Sequence, residues 1–244
     1  MNLLLISNST NPGEDYLGWP REEIKEYLSK HNIKRVLFIP FAGVTFSYDT
    51  YEEKVNKVFL TLGATIYSIH KESNPIKAVM EAEAIAVGGG NTFQLVKEMQ
   101  KKGLMQAIRE RVLQGMPYMG WSAGSNVACP TLKTTNDMPI AEPDSFNCMA
   151  LIPFQINPHY LDAHPSNHGG ETREQRIEEF LVANPGMYVA GLREATLLLY
   201  ENDKLSLRGR HAMRVFKSGQ EPMELDPGSD LQFLMQITGN EMNV

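Results

Sequence analysis

The residues with the clearest chemical meaning form the segment Gly120-Trp121-Ser122-Ala123-Gly124. The three residues before it, 117–119, are typical of a short buried strand, and residues 123–128 are small and compatible with a helix. A serine with glycines two positions away on either side, between a strand and a helix, is the pattern of a nucleophile elbow. Because this pattern also arises by chance in tightly packed turns, Ser122 alone leaves catalysis and simple packing as equal alternatives.

A serine nucleophile needs a base within hydrogen-bond reach and a carboxylate that orients this base. Of the six histidines, His159 follows an apolar run and the stiffening Pro158, which predicts a position at the end of a strand. His164 and His168 lie in a nearby polar loop, and spacing does not exclude them. His211 is a weaker candidate, and His31 and His70 are typical of protein surfaces.

Asp137 is the candidate for the orienting carboxylate, because it lies among hydrogen-bonding side chains in the segment 134–139. Asp144 and Asp162 are rivals, although each is more typical of a solvated loop charge. The order serine, aspartate, histidine matches α/β-hydrolases, but His159 follows Ser122 by only 37 residues. The spacing therefore favours a different α/β scaffold with a convergent triad.

A glycine-rich loop, Gly88–Asn91, precedes a predicted helix and supplies candidate main-chain donors. It matches neither the dinucleotide-binding glycine pattern nor the phosphate-binding loop, which requires a lysine. Its unshielded N–H groups suit an oxyanion hole, in which Gly90 and Ala123 would be the two donors. Asn91, with Gln94 three residues later, also resembles a helix capping box, and the two roles are compatible.

The elements that must position these residues alternate along the first half of the chain. This alternation predicts an α/β fold, with a mostly parallel sheet covered by helices on both sides. After Ala195, short apolar runs separated by Asn202-Asp203 and Gly209 predict antiparallel hairpins. Strands are predicted at 3–6, 35–39, 65–69 and 84–87 and just before Ser122, and helices at 20–31, 51–62, 76–81, 91–101 and 104–113.

Composition narrows the classes of protein. A length of 244 residues suits one α/β domain over residues 1–244, and a net charge of −6 without a basic run argues against nucleic-acid binding. Two cysteines, Cys129 and Cys148, predict no disulfide framework, and the apolar start is too short for a signal peptide or membrane span. We therefore expect a cytoplasmic protein with no membrane partner. No metal or other cofactor is predicted, because no cluster has ligand spacing.

Several segments resemble the peptidase E family of α-aspartyl dipeptidases, whose fold is similar to that of class I glutaminases. The resemblance spans roughly the first three quarters of the chain and implies a three-layer α-β-α sandwich. The matching segments are LLLISNST (3–10), FIPFAGVT (38–45), GGGNTFQL (88–95), GWSAGSNVACPTLKTTNDMPI (120–140), QINPH (155–159) and GETREQRIEEFL (170–181).

The resemblance implies a serine peptidase that hydrolyses Asp-X dipeptides with a free amino terminus. By position, it implies that Ser122 is the nucleophile, His159 the base and Asp137 the orienting acid. It also implies that Gly90 and Ala123 supply the oxyanion N–H groups.

The aspartyl side chain of such a substrate would need a charged partner, and arginine offers bidentate geometry to a carboxylate. Arg173 opens a predicted helix soon after His159 and is the candidate, although a surface ion pair with Glu174 or Glu178 is its common alternative. Asn91 is a second candidate for substrate contact. The acceptor for the substrate's amino group stays open between Glu171 and other acidic residues.

Two other functions remain open. The chain is also similar around the serine to cyanophycinase, which cleaves β-linked aspartyl-arginine polymer. A catalytically idle, glutaminase-like domain that binds an acidic metabolite is the alternative outside enzymes. A symmetric homodimer is expected from the general frequency of such assemblies.

Overall fold

The computed structural model describes residues 1–162 and 169–236. Its strands are β1 (Leu3–Ile6), β2 (Arg35–Ile39), β3 (Thr65–Ser68), β4 (Ile85–Val87), β5 (Tyr118–Trp121), β6 (Gln155–Tyr160), β7 (Tyr188–Arg193), β8 (Thr196–Glu201), β9 (Lys204–Gly209), β10 (Met213–Lys217) and β11 (Met223–Leu225). Its α-helices are α1 (Arg21–Lys30), α2 (Tyr48–Thr61), α3 (Pro75–Glu81), α4 (Thr92–Lys101), α5 (Leu104–Leu113), α6 (Ala123–Asn126) and α7 (Arg173–Ala183), with 3-10 turns at Ile69–Lys71 and Gln232–Met235.

The main sheet has seven strands in the order β3-β2-β4-β5-β1-β8-β9. Its first five strands are parallel, whereas β8 runs antiparallel to both β1 and β9. All residues of β1 and β5 are buried, as expected of central strands covered on both faces. The predicted mostly parallel sheet is confirmed, and the carboxyl ends of β1, β4 and β5 meet at one edge.

Helices cover both faces of this sheet. Residues of α1 and α2 pack on one face, and residues of α3 to α6 pack on the other. The helix starts follow from capping chemistry: Ser47 accepts a hydrogen bond from the N–H of Thr50, so α2 begins earlier than its apolar spacing predicts. Thr172 and Gln175 form a reciprocal capping box at α7. The predicted layered α/β architecture is confirmed.

A second sheet of four strands, in the order β11-β10-β7-β6, was not predicted. Strands β6 and β7 are parallel, and β10 is antiparallel to its two neighbours. The predicted hairpin through Asn202-Asp203 is confirmed as β8–β9, but the apolar run at 213–217 pairs with β7 in this second sheet. Buried residues of β6, β7 and β10 share one apolar core with the main sheet, and α7 packs on the opposite face.

Within the described ranges, no helix is long and apolar enough to cross a membrane.

Candidate active site

The segment at 120–124 forms the predicted nucleophile elbow. Ser122 follows β5 with φ 53° and ψ −111°, a strained backbone conformation for a residue with a side chain. A Cβ at Gly120 would lie against the backbone of Gly124, and one at Gly124 would lie against the carbonyl of Val87. Glycine is therefore required on both sides of the turn. The helix α6 that follows has four residues and is shorter than predicted.

His159 is the histidine that meets this serine. Its Nε2 lies 3.1 Å from Ser122 Oγ, and its Nδ1 lies 2.7 Å from Oε1 of Glu194. The nucleophile candidate, the imidazole and a carboxylate thus form one continuous hydrogen-bonded line. In this arrangement the imidazole can accept the serine proton while the carboxylate stabilises the resulting imidazolium. The alternatives His164 and His168 lie outside the described residues.

The placement expected for Asp137 is corrected by the structure, because the carboxylate on His159 belongs to Glu194. Asp137 Oδ2 instead accepts hydrogen bonds from the N–H and hydroxyl of Thr92, at 2.7 and 2.6 Å, and from the hydroxyl of Thr135 at 3.0 Å. The carboxylate therefore lies at the amino-terminal end of α4, where the helix dipole favours negative charge. Its hydrogen-bonding neighbours bind it to that helix rather than to the imidazole.

The loop after β1 holds the histidine and the glutamate in place. Ser7 Oγ accepts the N–H of His159 at 3.0 Å and donates to the carbonyl of Leu192 at 2.7 Å. Asn8 Oδ1 accepts the N–H of Ala195, the residue after Glu194, at 2.9 Å. His159 itself has φ 52° at a register shift between β6 and β7. This irregularity turns its side chain out of the regular alternation of the strand.

The two predicted oxyanion donors lie on either side of the serine. Ala123 opens α6, and the loop 88–90 packs so closely that a Cβ at Gly89 would lie 3.1 Å from Ser122 Cβ. In the described part of the chain, the N–H groups of Gly90 and Ala123 donate to no protein acceptor. Both donors are therefore available to a bound oxygen atom.

Arg173 reaches the same site from the start of α7. Its Nη1 donates to Oδ1 of Asn136, and the same oxygen also accepts a hydrogen bond from the side-chain amide of Asn157. The Nδ2 of Asn136 donates to the carbonyl of Pro158 at 2.6 Å. Burial lowers the pKa of the Arg173 guanidinium from its ordinary value, and nearby Arg176 acts in the same direction. Among the described residues, no carboxylate forms an ion pair with Arg173. A half-buried cation therefore faces the site with no anion from the described part of the chain beside it.

Asn91 is placed as the cap of α4. Its Oδ1 accepts the N–H of Gln94 at 3.1 Å, and its Nδ2 donates to the carbonyl of Met138 at 2.9 Å. Both polar ends of the side chain are thus engaged with the protein. Asn91 therefore helps to order two loops: the glycine loop 88–90 and the loop that carries Asn136 and Asp137.

These side chains surround one cavity of about 250 Å³. Ser122 and ionisable side chains of both signs line it. Its walls consist of Ser122, Asn126, Thr135, Asn136, Asp137, Pro158, His159, Leu161, Arg173 and Glu194.

One group of side chains elsewhere has the composition of a metal site. Ligand atoms of Asp49, Glu52 and His70 lie within 4.8 Å of one another. The ammonium of Lys71 lies 2.9 Å from Asp49 and 2.5 Å from Glu52, and these hydrogen bonds raise its pKa above the ordinary value. A protonated lysine therefore already offsets one of the two carboxylate charges in this cluster.

Sequence reasoning missed Glu194, Ser7 and Asn136. The signal available for Glu194 was its position directly after the apolar run that forms β7, since functional side chains concentrate at strand ends. Ser7 and Asn136 carried no comparable signal, because their roles depend on contacts with residues far away in the chain.

Comparisons with known proteins identify relatives of this chain. The model of Peptidase family S51 matches residues 3–208. Peptidase E of Nostoc sp. is 52% identical over 234 residues, which cover 96% of each chain. Peptidase E of Salmonella typhimurium is 46% identical over 228 residues, which cover 93% of this chain and 99% of the relative. The crystal structure of a peptidase from an acI-B1 Actinobacterium has the same fold, with a TM-score of 0.69 and 17% identity over 94% of this chain and 96% of that one. The chain therefore belongs to Peptidase family S51 and is a serine peptidase.

Proposed function

We propose that this enzyme is a dipeptidase that hydrolyses α-Asp-X dipeptides with a free amino terminus. The observation that carries the proposal is the half-buried guanidinium of Arg173, which lies in the same cavity as Ser122 and His159 and forms no ion pair with a carboxylate of residues 1–162 or 169–236. A buried charge without a partner is costly, so a cation held in this way favours a ligand that brings a carboxylate. An N-terminal aspartyl residue carries that group two bonds from its α-carbon.

In the proposed mechanism, His159 Nε2 removes the hydroxyl proton as Ser122 Oγ attacks the aspartyl carbonyl carbon. Glu194 holds the other ring nitrogen and stabilises the imidazolium. The N–H groups of Gly90 and Ala123 stabilise the oxyanion. The imidazolium then gives its proton to the departing amine of residue X, and water attacks the aspartyl ester with His159 again as the base.

The small, polar cavity supports a short substrate. Asn136 fixes the guanidinium of Arg173 through its side-chain oxygen, and its own amide is bound to the backbone of β6. This support reduces the conformational freedom that Arg173 would lose on binding a carboxylate. Asn91 contributes to binding through the loop that it anchors.

The proposal includes a cytoplasmic location, small dipeptides as the partners, and no nucleic-acid or membrane partner. Cys129 and Cys148 are free thiols, which suits a reducing compartment. The homodimer expected from general frequencies stays a prediction.

The nucleophile is tested with Ser122→Ala in an assay of Asp-Leu hydrolysis. Loss of a triad nucleophile typically lowers kcat by about 10⁶-fold. Labelling with a fluorophosphonate should occur in the wild type and disappear in the variant, because only an activated serine reacts. Hydrolysis of Asp-Leu by Ser122→Ala at the wild-type rate would exclude the assignment.

Specificity is tested with Arg173→Ala and a matched control on the same helix. We expect Arg173→Ala to lose activity selectively on Asp-X relative to Asn-X dipeptides, while fluorophosphonate labelling persists. Arg176→Ala is the control, since Arg176 is exposed and pairs with Glu171 at 3.6 Å. An unchanged preference in Arg173→Ala would contradict the proposed pocket, and preferential cleavage of β-linked aspartyl-arginine by the wild type would point to a cyanophycinase-like activity instead.

A further inference from the structure

The loop 88–90 can stabilise an oxyanion only if the Gly89–Gly90 peptide unit keeps one orientation. Gly90 has φ 137°, which side chains rarely permit, and a Cβ there would collide with the backbone of Ala42. Glycine changes its backbone angles at little steric cost, so a peptide unit between two glycines rotates easily. The orientation of this unit therefore needs a partner outside the loop.

Tyr51, on α2, provides such a partner. Its hydroxyl donates to the carbonyl oxygen of Gly89 at 2.9 Å. In a planar trans peptide unit the carbonyl and the N–H point in opposite directions. A Gly89 carbonyl held against Tyr51 therefore directs the N–H of Gly90 away from the protein interior.

The same hydroxyl also bonds to the nucleophile strand, which is β5, the strand that leads into Ser122. Trp121 Nε1 donates to Tyr51 Oη at 3.2 Å, and Trp121 is the residue before Ser122. Tyr16 Oη donates to it as well, at 3.3 Å. The tyrosine oxygen thus accepts two hydrogen bonds and gives one, so its full bonding capacity is used.

The surroundings of Tyr51 keep this hydroxyl fixed and protonated. The side chain is 4% exposed, and its ring packs edge-on against Phe38 and Phe46 at centroid distances of 5.0 and 5.1 Å. Burial raises the pKa of Tyr51 above its ordinary value, so the hydroxyl keeps the proton that it donates. A Cβ at Gly88 would lie 2.5 Å from Tyr51 Oη, so the loop approaches the hydroxyl as closely as glycine allows.

We propose that Tyr51 is a positioning residue for the oxyanion hole, whose hydroxyl fixes the Gly89–Gly90 peptide unit and ties it to the nucleophile strand through Trp121. The proposal rests on the proposed serine mechanism and adds to it the element that keeps Gly90 N–H in its productive direction. Tyr51 does not touch the substrate, and it acts through the peptide group that it orients.

The test is Tyr51→Phe, which removes the hydroxyl and keeps the ring. We expect kcat for Asp-Leu to fall by roughly 10- to 100-fold, which is no more than the effect of removing an oxyanion donor altogether. We expect KM to stay within about twofold of the wild-type value. The second-order rate of Ser122 labelling by a fluorophosphonate should fall in parallel, since that reaction also places an oxygen in the hole. This second readout needs no aspartyl substrate, so failure of the dipeptidase proposal would not obscure it.

Tyr27→Phe is the matched control. Tyr27 is also buried, and its hydroxyl donates to a backbone carbonyl, that of Tyr118, at 3.3 Å. We expect Tyr27→Phe to keep the wild-type kcat and labelling rate even if its melting temperature falls as far as that of Tyr51→Phe. Equal kcat and labelling rates in the two variants, or a loss confined to KM, would overturn the proposal.

Trp121→Phe covers the case in which Tyr51→Phe does not fold. This variant removes the link to the nucleophile strand and leaves the bond between Tyr51 and Gly89. We expect a smaller fall in kcat and labelling rate than the range given for Tyr51→Phe. An unchanged labelling rate in folded Trp121→Phe would contradict the bridging role.

Discussion

Ser122 follows β5, a central strand of the seven-stranded sheet. By contrast, His159 lies on β6 of the four-stranded sheet, and Glu194 directly follows β7 of that sheet. The serine is fixed by five consecutive residues whose glycines permit one tight turn. The histidine and glutamate are fixed by Ser7 and Asn8, which are 152 and 187 residues away from their partners His159 and Ala195. One half of the site is thus built by local sterics and the other by long-range hydrogen bonds.

The two halves also differ in exposure. Trp121 and Ala123, on either side of the serine, are each 1% exposed, while the side chains of His159 and Glu194 are 40% and 41% exposed. Local sterics are insensitive to solvent, but the partly exposed hydrogen bond between His159 and Glu194 competes with water. We therefore expect the histidine half to be the more easily perturbed of the two.

The largest effect that separates the halves is expected from Glu194→Gln, which keeps the size of the side chain and removes its charge. Loss of the orienting carboxylate should lower kcat by roughly 10⁴-fold, because the imidazolium is no longer stabilised or held in the required tautomer. Steady-state assays of Asp-Leu hydrolysis measure this effect. Asp137→Asn should cost less, since Asp137 binds Thr92 rather than His159. A Glu194→Gln enzyme with the wild-type kcat would show that the 2.7 Å contact has no catalytic role.

An intermediate effect is expected from comparing Ser7→Ala with Ser125→Ala. Both serines are buried, and Ser125 Oγ lies 2.8 Å from the Ile6 carbonyl and 2.9 Å from the Gly120 carbonyl on the nucleophile side. Each variant should lose about 1–3 kcal/mol of unfolding free energy, because buried polar groups lose their partner. Only Ser7→Ala should also lower kcat, by roughly tenfold, since it frees the backbone of His159. Urea unfolding and steady-state kinetics measure the two quantities, and a larger kcat loss in Ser125→Ala would reverse the comparison.

The smallest effect concerns acid stability on the histidine side, where Arg193 pairs with Asp162 and Glu224. The hydrogen bond from Arg193 holds the pKa of Asp162 below its ordinary value. A lowered folded-state pKa gives stability that is complete above the unfolded value of about 4 and is lost as pH falls through the folded value. Since the side chain of Asp162 is 51% exposed, Asp162→Asn should cost at most about 1 kcal/mol at pH 7 and less at pH 2.

Unfolding of Asp162→Asn and wild type at the two pH values measures this difference. Asp144→Asn is the control, because Asp144 forms no ion pair among residues 1–162 and 169–236. A destabilisation of Asp162→Asn that stays constant with pH would rule out the ion pair as its cause.

The same contrast explains what could be predicted from the sequence. The elbow, the glycine loop and the strands and helices before Ser122 are local patterns, and each was predicted close to its observed bounds. Glu194 and the second sheet depend on pairing between β6, β7 and β10, and neighbouring residues in the chain do not encode such pairing. The prediction that Asp137 orients His159 was wrong, because hydrogen-bonding neighbours indicate that a carboxylate is bound but do not identify the group that it binds.

The position of β1 has a consequence for how the enzyme is made. This strand is synthesised before both of its neighbours, β5 and β8, and the loop after it binds residues as distant as Ala195. A nascent chain must therefore keep β1 unpaired on one side until β8 has emerged from the ribosome. Contacts of such large sequence separation form slowly. The loop that supports both His159 and the residue after Glu194 therefore completes its hydrogen bonds only late in synthesis, once Ala195 has been made.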